Sequence, residues 1–278
     1  NFFLPLNEIL NSLLLILIFM LLFKYKLFSK SDIFFIIIST FLVCLIIAYS
    51  NINTPDAGLY HLPYTQILNE NKIIIGVNNL HFRFGHISII QYLSAINFNI
   101  FTGINGILIP LASSVVFVIL YFFEEIYKFI KSNSDLSLNH LFCLFILCFI
   151  AYKINRYSGF GNDAIAHILL FYLISIFLKT KFDYVDIQKT AIISTFIFLN
   201  KVTLILAFFI PFLIFLKCKE NKIKIFYSFS TILLFIWILK NVLTSSCLIY
   251  PLEITCFDNL KWSNKTELRK QSISSEAW

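Results

Sequence analysis

This sequence predicts an all-α protein, a polytopic transmembrane bundle with extracytoplasmic juxtamembrane helices, on three observations. Hydrophobic residues make up 59% of the 278 and charged residues 13%, and mean hydropathy is +0.83, whereas a soluble domain carries about 25% charge to clothe its surface. Apolar residues come in long blocks rather than in alternation, which selects helices over a barrel as the spanning element. Lysines gather at block ends, and the +7 net charge is spread over loops, which argues against nucleic acid as a partner.

A span needs roughly 20 apolar residues. The blocks Ile9–Phe23, Ile33–Tyr49, Ile104–Phe123, Leu138–Tyr152, Ala164–Leu178 and Ile223–Leu239 meet or approach that length. Ala191–Leu216 reads either as one long tilted helix or as a hairpin of two short ones broken at Asn200–Lys201. Positive charge decides between them. Lys24, Lys26 and Lys30 set the first loop inside, as do Lys128 and Lys131, then Lys179, Lys181 and Lys189. Only the hairpin keeps Lys217, Lys219, Lys222 and Lys224 inside as well. Eight short spans result, with residues 1–278 a single transmembrane domain. Residues 50–103 form an extracytoplasmic, catalytic-type loop and residues 240–278 an extracytoplasmic tail, with the short Lys153–Asn162 loop beside them. The chain opens without Met and stops at SISSEAW, so a fragment is expected.

The outer loop holds most of the chemistry. Pro55 and Gly58 punctuate a turn around Asp56, and Pro63 suits the first turn of a helix. From Pro63 to Asn71, Tyr64, Ile67 and Leu68 share one face, while Thr65, Gln66, Asn69 and Glu70 share the other, as in a helix lying on a membrane. Ile87–Phe101 is apolar but carries Ser88, Gln91, Ser94 and Asn97 at three-residue spacing, an interfacial or re-entrant element against the bundle. Between them, His81, Arg83 and His86 bring three potential cations to the water–lipid boundary.

Each candidate has a bland and a functional reading. Asp56 caps its turn or serves as a base that takes a proton from an attacking hydroxyl. Tyr60, four residues on, is an interfacial anchor or a partner on the same helical face, and His61 stands beside it. Arg83 snorkels or clamps a phosphate with its planar fork. His81 and His86, five residues apart, do not share a helical face, and no third ligand completes a zinc site. Asp163, with Asn162, caps the span that it opens or orients an acceptor. Lys201, at the outward tip of the hairpin, snorkels or neutralises a donor phosphate. Cys44, Cys143, Cys148 and Cys218 read as small buried hydrophobes. Cys247 and Cys256, nine positions apart in the outer tail, are expected to form a disulfide.

The order Asp and then Tyr-His-x-Pro in a loop after an early span resembles the first loop of the C-type (GT-C) membrane glycosyltransferases. The stretch RFGHISIIQYLSAINFNIFTGINGILIPLASSVVFVILYFF is similar to the next element of that family. SGFGNDAIAHILLFYLI and FLNKVTLILAFFIPFLIFL resemble its acid-opened span and its Lys-bearing helical pair. SSCLIYPLEITCFDNLKWS resembles the tail of an uncharacterised bacterial polytopic branch. The resemblance implies a GT-C-like fold and a polyprenyl-phosphate-linked sugar donor. It also implies a lipid, glycan or protein acceptor, and Asp56 as catalytic acid-loop residue. Tyr60, His61, His81, Arg83, His86, Asp163 and Lys201 would bind substrate. Many members carry two adjacent acids, but Ala57 follows Asp56, so no local metal pair is present. A divalent metal stays possible, and no cofactor is assigned. The richness in Ile, Phe, Lys and Asn with 7 Gly suggests an AT-rich bacterial genome, hence an inner-membrane protein with an outward site. A glycolipid or solute transporter and a non-catalytic membrane scaffold are the alternatives.

Overall fold

The structure is a computed structural model, and it describes residues 1–25, 29–50, 55–132, 135–154, 160–179, 182–217 and 226–276. Eleven α-helices run through these residues, which contain no strand. They are α1 Glu8–Lys24, α2 Lys30–Ala48, α3 Leu62–Glu70, α4 Ile89–Asn97, α5 Ile109–Ser132 and α6 Leu138–Lys153. After them come α7 Asn162–Phe177, α8 Tyr184–Asn200, α9 Phe209–Lys217, α10 Phe226–Ser245 and α11 Lys265–Glu276. Lys26, Lys181, Lys219, Lys222, Lys224 and Cys218 lie outside the described residues, as does most of the Lys153–Asn162 loop.

Over its described residues each expected apolar block is helical, and the ambiguous one is a hairpin. α8 ends at Asn200, Lys201 is extended, and a 3-10 segment at Val202–Phe208 leads into α9. Among the described residues two helices are long and apolar enough to cross a bilayer alone, Ser31–Ala48 and Gly103–Ser132; the other apolar helices run to 10–17 residues. The core is built by α5, α6, α7 and α8 around Val115, Phe122, Ile146, Ile165, Leu173 and Ile197. Both flanks of the hairpin pack there, and α2 leans on α5. By contrast α2 leaves Phe34, Phe35, Ile37, Ile38, Phe41, Leu42, Leu45 and Ile46 exposed.

The segments between α2 and α5 depart from expectation in two ways. First, Pro55–His61 is helical rather than a turn, with a π segment at Ala57–His61 running into α3. Pro63 lacks an N–H, and its ring crowds the carbonyl one turn back. The wider π turn, in which the Leu62 N–H donates to the Ala57 carbonyl, gives that ring room. Second, Thr65 and Asn69, expected to face water, are buried. The Thr65 hydroxyl donates to the His61 carbonyl at 3.0 Å, and the Asn69 amide reaches the Ala95 and Leu6 carbonyls. α4 and the N-terminal segment lie over Thr65 and Asn69, while Gln66 and Glu70 stay exposed.

α4 is shorter than the expected Ile87–Phe101, and its polar stripe points inward. Ser88, Gln91 and Ser94 are buried. The Ser88 hydroxyl donates to Asn200 Oδ1 at 2.8 Å, and the Ile90 N–H donates to the same oxygen at 2.9 Å. Ser94 donates to the Ile107 carbonyl at 3.0 Å. The two bonds to Asn200 serve the start of α4 and fix it against the hairpin tip. Of the cysteines read as buried hydrophobes, Cys143 is buried and Cys44 half-buried, but Cys148 is exposed. It lies on an outward face of α6 beside exposed Leu144 and Phe145.

Candidate functional site

Three chain segments meet at one end of the helical core. The first is the π turn. Asp56 precedes it with helical backbone and makes no capping bond through its side chain, so capping does not account for it. Because the backbone is helical, Tyr60 lies one turn on from Asp56 and shares its side of the helix. Burial, and then the nearby Asp56 carboxylate, push the Tyr60 hydroxyl up to about 12.

The second segment is the 3-10 turn Phe82–Gly85, which carries Arg83. His81 opens the turn, and its Nδ1 accepts the Arg83 N–H at 3.3 Å. Its ring lies against Phe82 and Phe84. His81 therefore helps to shape the turn through its Nδ1. Arg83 Nη1 donates to the Tyr60 hydroxyl at 3.2 Å, and the guanidinium lies 4.8 Å from the centre of the Tyr60 ring. Among the described residues no carboxylate forms an ion pair with it. Its Nε is buried without a partner.

The third segment is the hairpin tip with the start of α7. Gly161, not Asn162 or Asp163, is the N-cap of α7. Asp163 instead pairs with Lys201 at 3.0 Å, from a first-turn position that suits the helix dipole. Asn200, immediately before Lys201, is the residue that receives the start of α4. That link brings the tip next to His86, two positions before Ser88.

His61 is the hub. It is buried, its ring centre lies 4.1 Å from that of Tyr60 with the planes tilted, and its Nε2 faces Gly161, where an added Cβ would stand 3.2 Å away. Its Nδ1 has no partner. Burial draws its pKa down to about 4, opposed by Asp56 and Asp163 and reinforced by Arg83. His86 is likewise drawn down to about 4 by burial and then Arg83, against the pull of Asp163. Both imidazoles are therefore neutral near pH 7. The cluster thus joins Asp56, Tyr60, His61, Arg83, His86, Asp163 and Lys201, and His81 stands behind the turn.

The balance of charge is informative. Lys201 is compensated by Asp163, whereas Arg83 has a phenol, a ring face and an unsatisfied N–H. An anionic oxygen is the partner that chemistry would supply. Among the described residues no three His, Cys, Asp or Glu side chains could close around one ion.

Tyr250 completes the surroundings from the tail. Its hydroxyl donates to the Phe82 carbonyl at 2.8 Å, and its ring meets the edge of His86. Cys247 and Cys256 are joined by a disulfide. Glu253 pairs with Arg269 and Asp258 with Lys265. Gly161, Asn200 and Tyr250 position the cluster, but a single sequence signals only the break at Asn200 and the rigid turn at Tyr250–Pro251.

A family model described as a domain of unknown function (DUF8201) matches residues 1–277. No curated protein and no solved structure matches the chain.

Proposed function

The chain belongs to the DUF8201 family, and from its own residues we propose that it is a membrane-embedded glycosyltransferase of the C-type plan. It would transfer a sugar from a polyprenyl-phosphate donor to a lipid, glycan or protein acceptor at the outer surface of a bacterial inner membrane. The apolar exterior supports the membrane setting. At about 1 kcal/mol for each large apolar side chain left half in water, the eight exposed on α2 fall within the roughly 5–15 kcal/mol that stabilises a whole domain. Lipid removes that cost. The shorter helices would span with local thinning or with help from neighbours.

One observation carries the catalytic reading: Arg83, a cation with an unpartnered Nε, donates to the Tyr60 hydroxyl, and the Asp56 carboxylate is near enough to add to burial in pushing that hydroxyl's pKa up. In the proposed reaction Asp56 takes the proton from an acceptor hydroxyl. That oxygen forms a bond to the anomeric carbon as the carbon–oxygen bond to phosphate breaks. The phosphate leaves with the electron pair, and its charge is met by Arg83, with Lys201 nearby. Such electrostatic help is the main catalytic term, because a phosphate whose charge is held needs no general acid. Neutral His61 and His86 can hydrogen-bond sugar hydroxyls without adding charge.

The test is Asp56→Asn in cells, with surface glycans profiled by mass spectrometry. Loss of a base lowers transfer roughly 10²–10⁴-fold while the protein stays folded. An unchanged glycan profile from a folded variant removes the reading.

A further inference from the structure

We propose that the disulfide-closed segment Cys247–Cys256 is a brace for the anion site, with Tyr250 as the positioning residue that holds the Arg83 turn. The proposal rests on the reading of Arg83 as the phosphate-holding cation. A four-residue 3-10 turn has too few internal bonds to stiffen itself, yet a clamp must be aimed before its ligand arrives. Tyr250 touches this turn on both sides of Arg83. Its hydroxyl donates to the carbonyl of Phe82, immediately before Arg83, at 2.8 Å. Its ring lies on Gly85, two positions after, so closely that an added Cβ would stand 2.7 Å from the ring carbons. Only glycine leaves room for the ring there. Tyr250 is itself 2% exposed.

The tail holds Tyr250 from behind. The disulfide closes the loop. Leu248 N–H donates to the Thr255 carbonyl at 3.0 Å, and Ile249 N–H donates to the Thr255 hydroxyl at 3.1 Å. Leu268 of α11 packs on Cys247 and Tyr250. The loop therefore presents one ring and one hydroxyl to a turn some 168 residues earlier in the chain, and those two contacts flank the cation.

The full chain in detergent micelles tests this with phenylglyoxal, which modifies arginine, read at Arg83 by mass spectrometry. Y250F keeps the ring and loses the bond to Phe82. It should raise the modification rate of Arg83 about fivefold, the equivalent of one lost hydrogen bond, with melting close to wild type. Y250A should raise it further. G85A, with Tyr250 intact, should raise it as well, and it carries the test with Y250F should Y250A not fold. Rates in Y250F and G85A within experimental scatter of wild type would overturn the brace. Protection of Arg83 by farnesyl phosphate separates the two ideas. Altered rates without protection in wild type would leave the brace and remove the phosphate reading. Protection with unaltered rates would do the reverse.

Discussion

Arg83 and Lys240 are both basic side chains set over a tyrosine ring and without a carboxylate partner among the described residues, yet they teach opposite lessons. Lys240 is 6% exposed. Its Nζ sits 3.8 Å from the Tyr92 ring centre and donates to Asn1 Oδ1 at 2.7 Å. Tyr92 and Tyr64 are occupied with each other, hydroxyl to hydroxyl, at 3.3 Å. That surrounding is occupied: the Lys240 amine meets a carbonyl-type acceptor and a π face, and burial draws its pKa down to about 7. Arg83 has a comparable ring contact but keeps an unpartnered Nε, stands near Asp56, and adjoins neutral His61 with its own unpartnered Nδ1. A cation over an aromatic ring is thus no mark of a site. Polar groups left unsatisfied together are a better one.

The sharpest way to break this comparison is to remove each cation in turn. Arg83→Met is expected to lower glycan transfer roughly 10²–10³-fold, the scale for losing one preorganised charge-stabilising donor. Arg83→Lys should rescue little, because the planar fork is lost. Lys240→Met, which replaces a buried cation by an apolar group of similar length, should leave transfer near wild type and a folded protein. Glycan profiling of the three variants decides it, and an equal loss at both positions would erase the distinction.

The next effect in size concerns the hub. The pKa of folded His61 is about 4, against an ordinary value of 6.5. The unfolded chain therefore holds more protons between those values, and stability, complete above pH 6.5, declines as pH falls towards 4. At 1.36 kcal/mol per pKa unit this amounts to roughly 3 kcal/mol, and His86 adds to it with the same sign. Melting curves from pH 7 down to 4.5 should show the decline, with His61→Gln markedly flatter than wild type. Parallel curves would place His61 outside the cluster.

The smallest effect belongs to the compensated pair. Lys201 and Asp163 are 28% and 67% exposed along their side chains, and pairs open to solvent contribute about 0–1 kcal/mol. Asp163→Asn should shift the melting temperature only slightly, and free Lys201 to resemble Arg83. A large destabilisation would recast the pair as structural.

Much of the helical order is legible in the sequence because apolar blocks and lysine punctuation act locally. The break at Asn200–Lys201 shows as two polar residues inside an apolar run. The members of the cluster are also legible, since Asp56, Tyr60, Arg83, Asp163 and Lys201 are conspicuous between apolar blocks. What the sequence conceals is supplied by neighbours far along the chain. Thr65 and Asn69 look solvent-facing until α4 and the N-terminal segment cover them. Asp163 looks like a cap until Lys201 arrives beside it. His81 looks like a ligand, but its Nδ1 is taken by the backbone of its own turn. The π turn needs the geometry around Pro63, which periodicity does not register. Lys240 reads as an ordinary span end, and its burial depends on Tyr92 and on the first residues of the chain.

The central claim is that the Asp56–Arg83 cluster lies at the outer surface of a bilayer. Leu59, 57% exposed and beside Tyr60, offers a direct probe as Leu59→Cys. Treated in intact cells with a membrane-impermeant maleimide, it should be labelled above the parent protein's level without permeabilisation, and Tyr127→Cys, at the opposite end of α5, should not. Labelling of Leu59→Cys only after the membrane is opened would contradict the account.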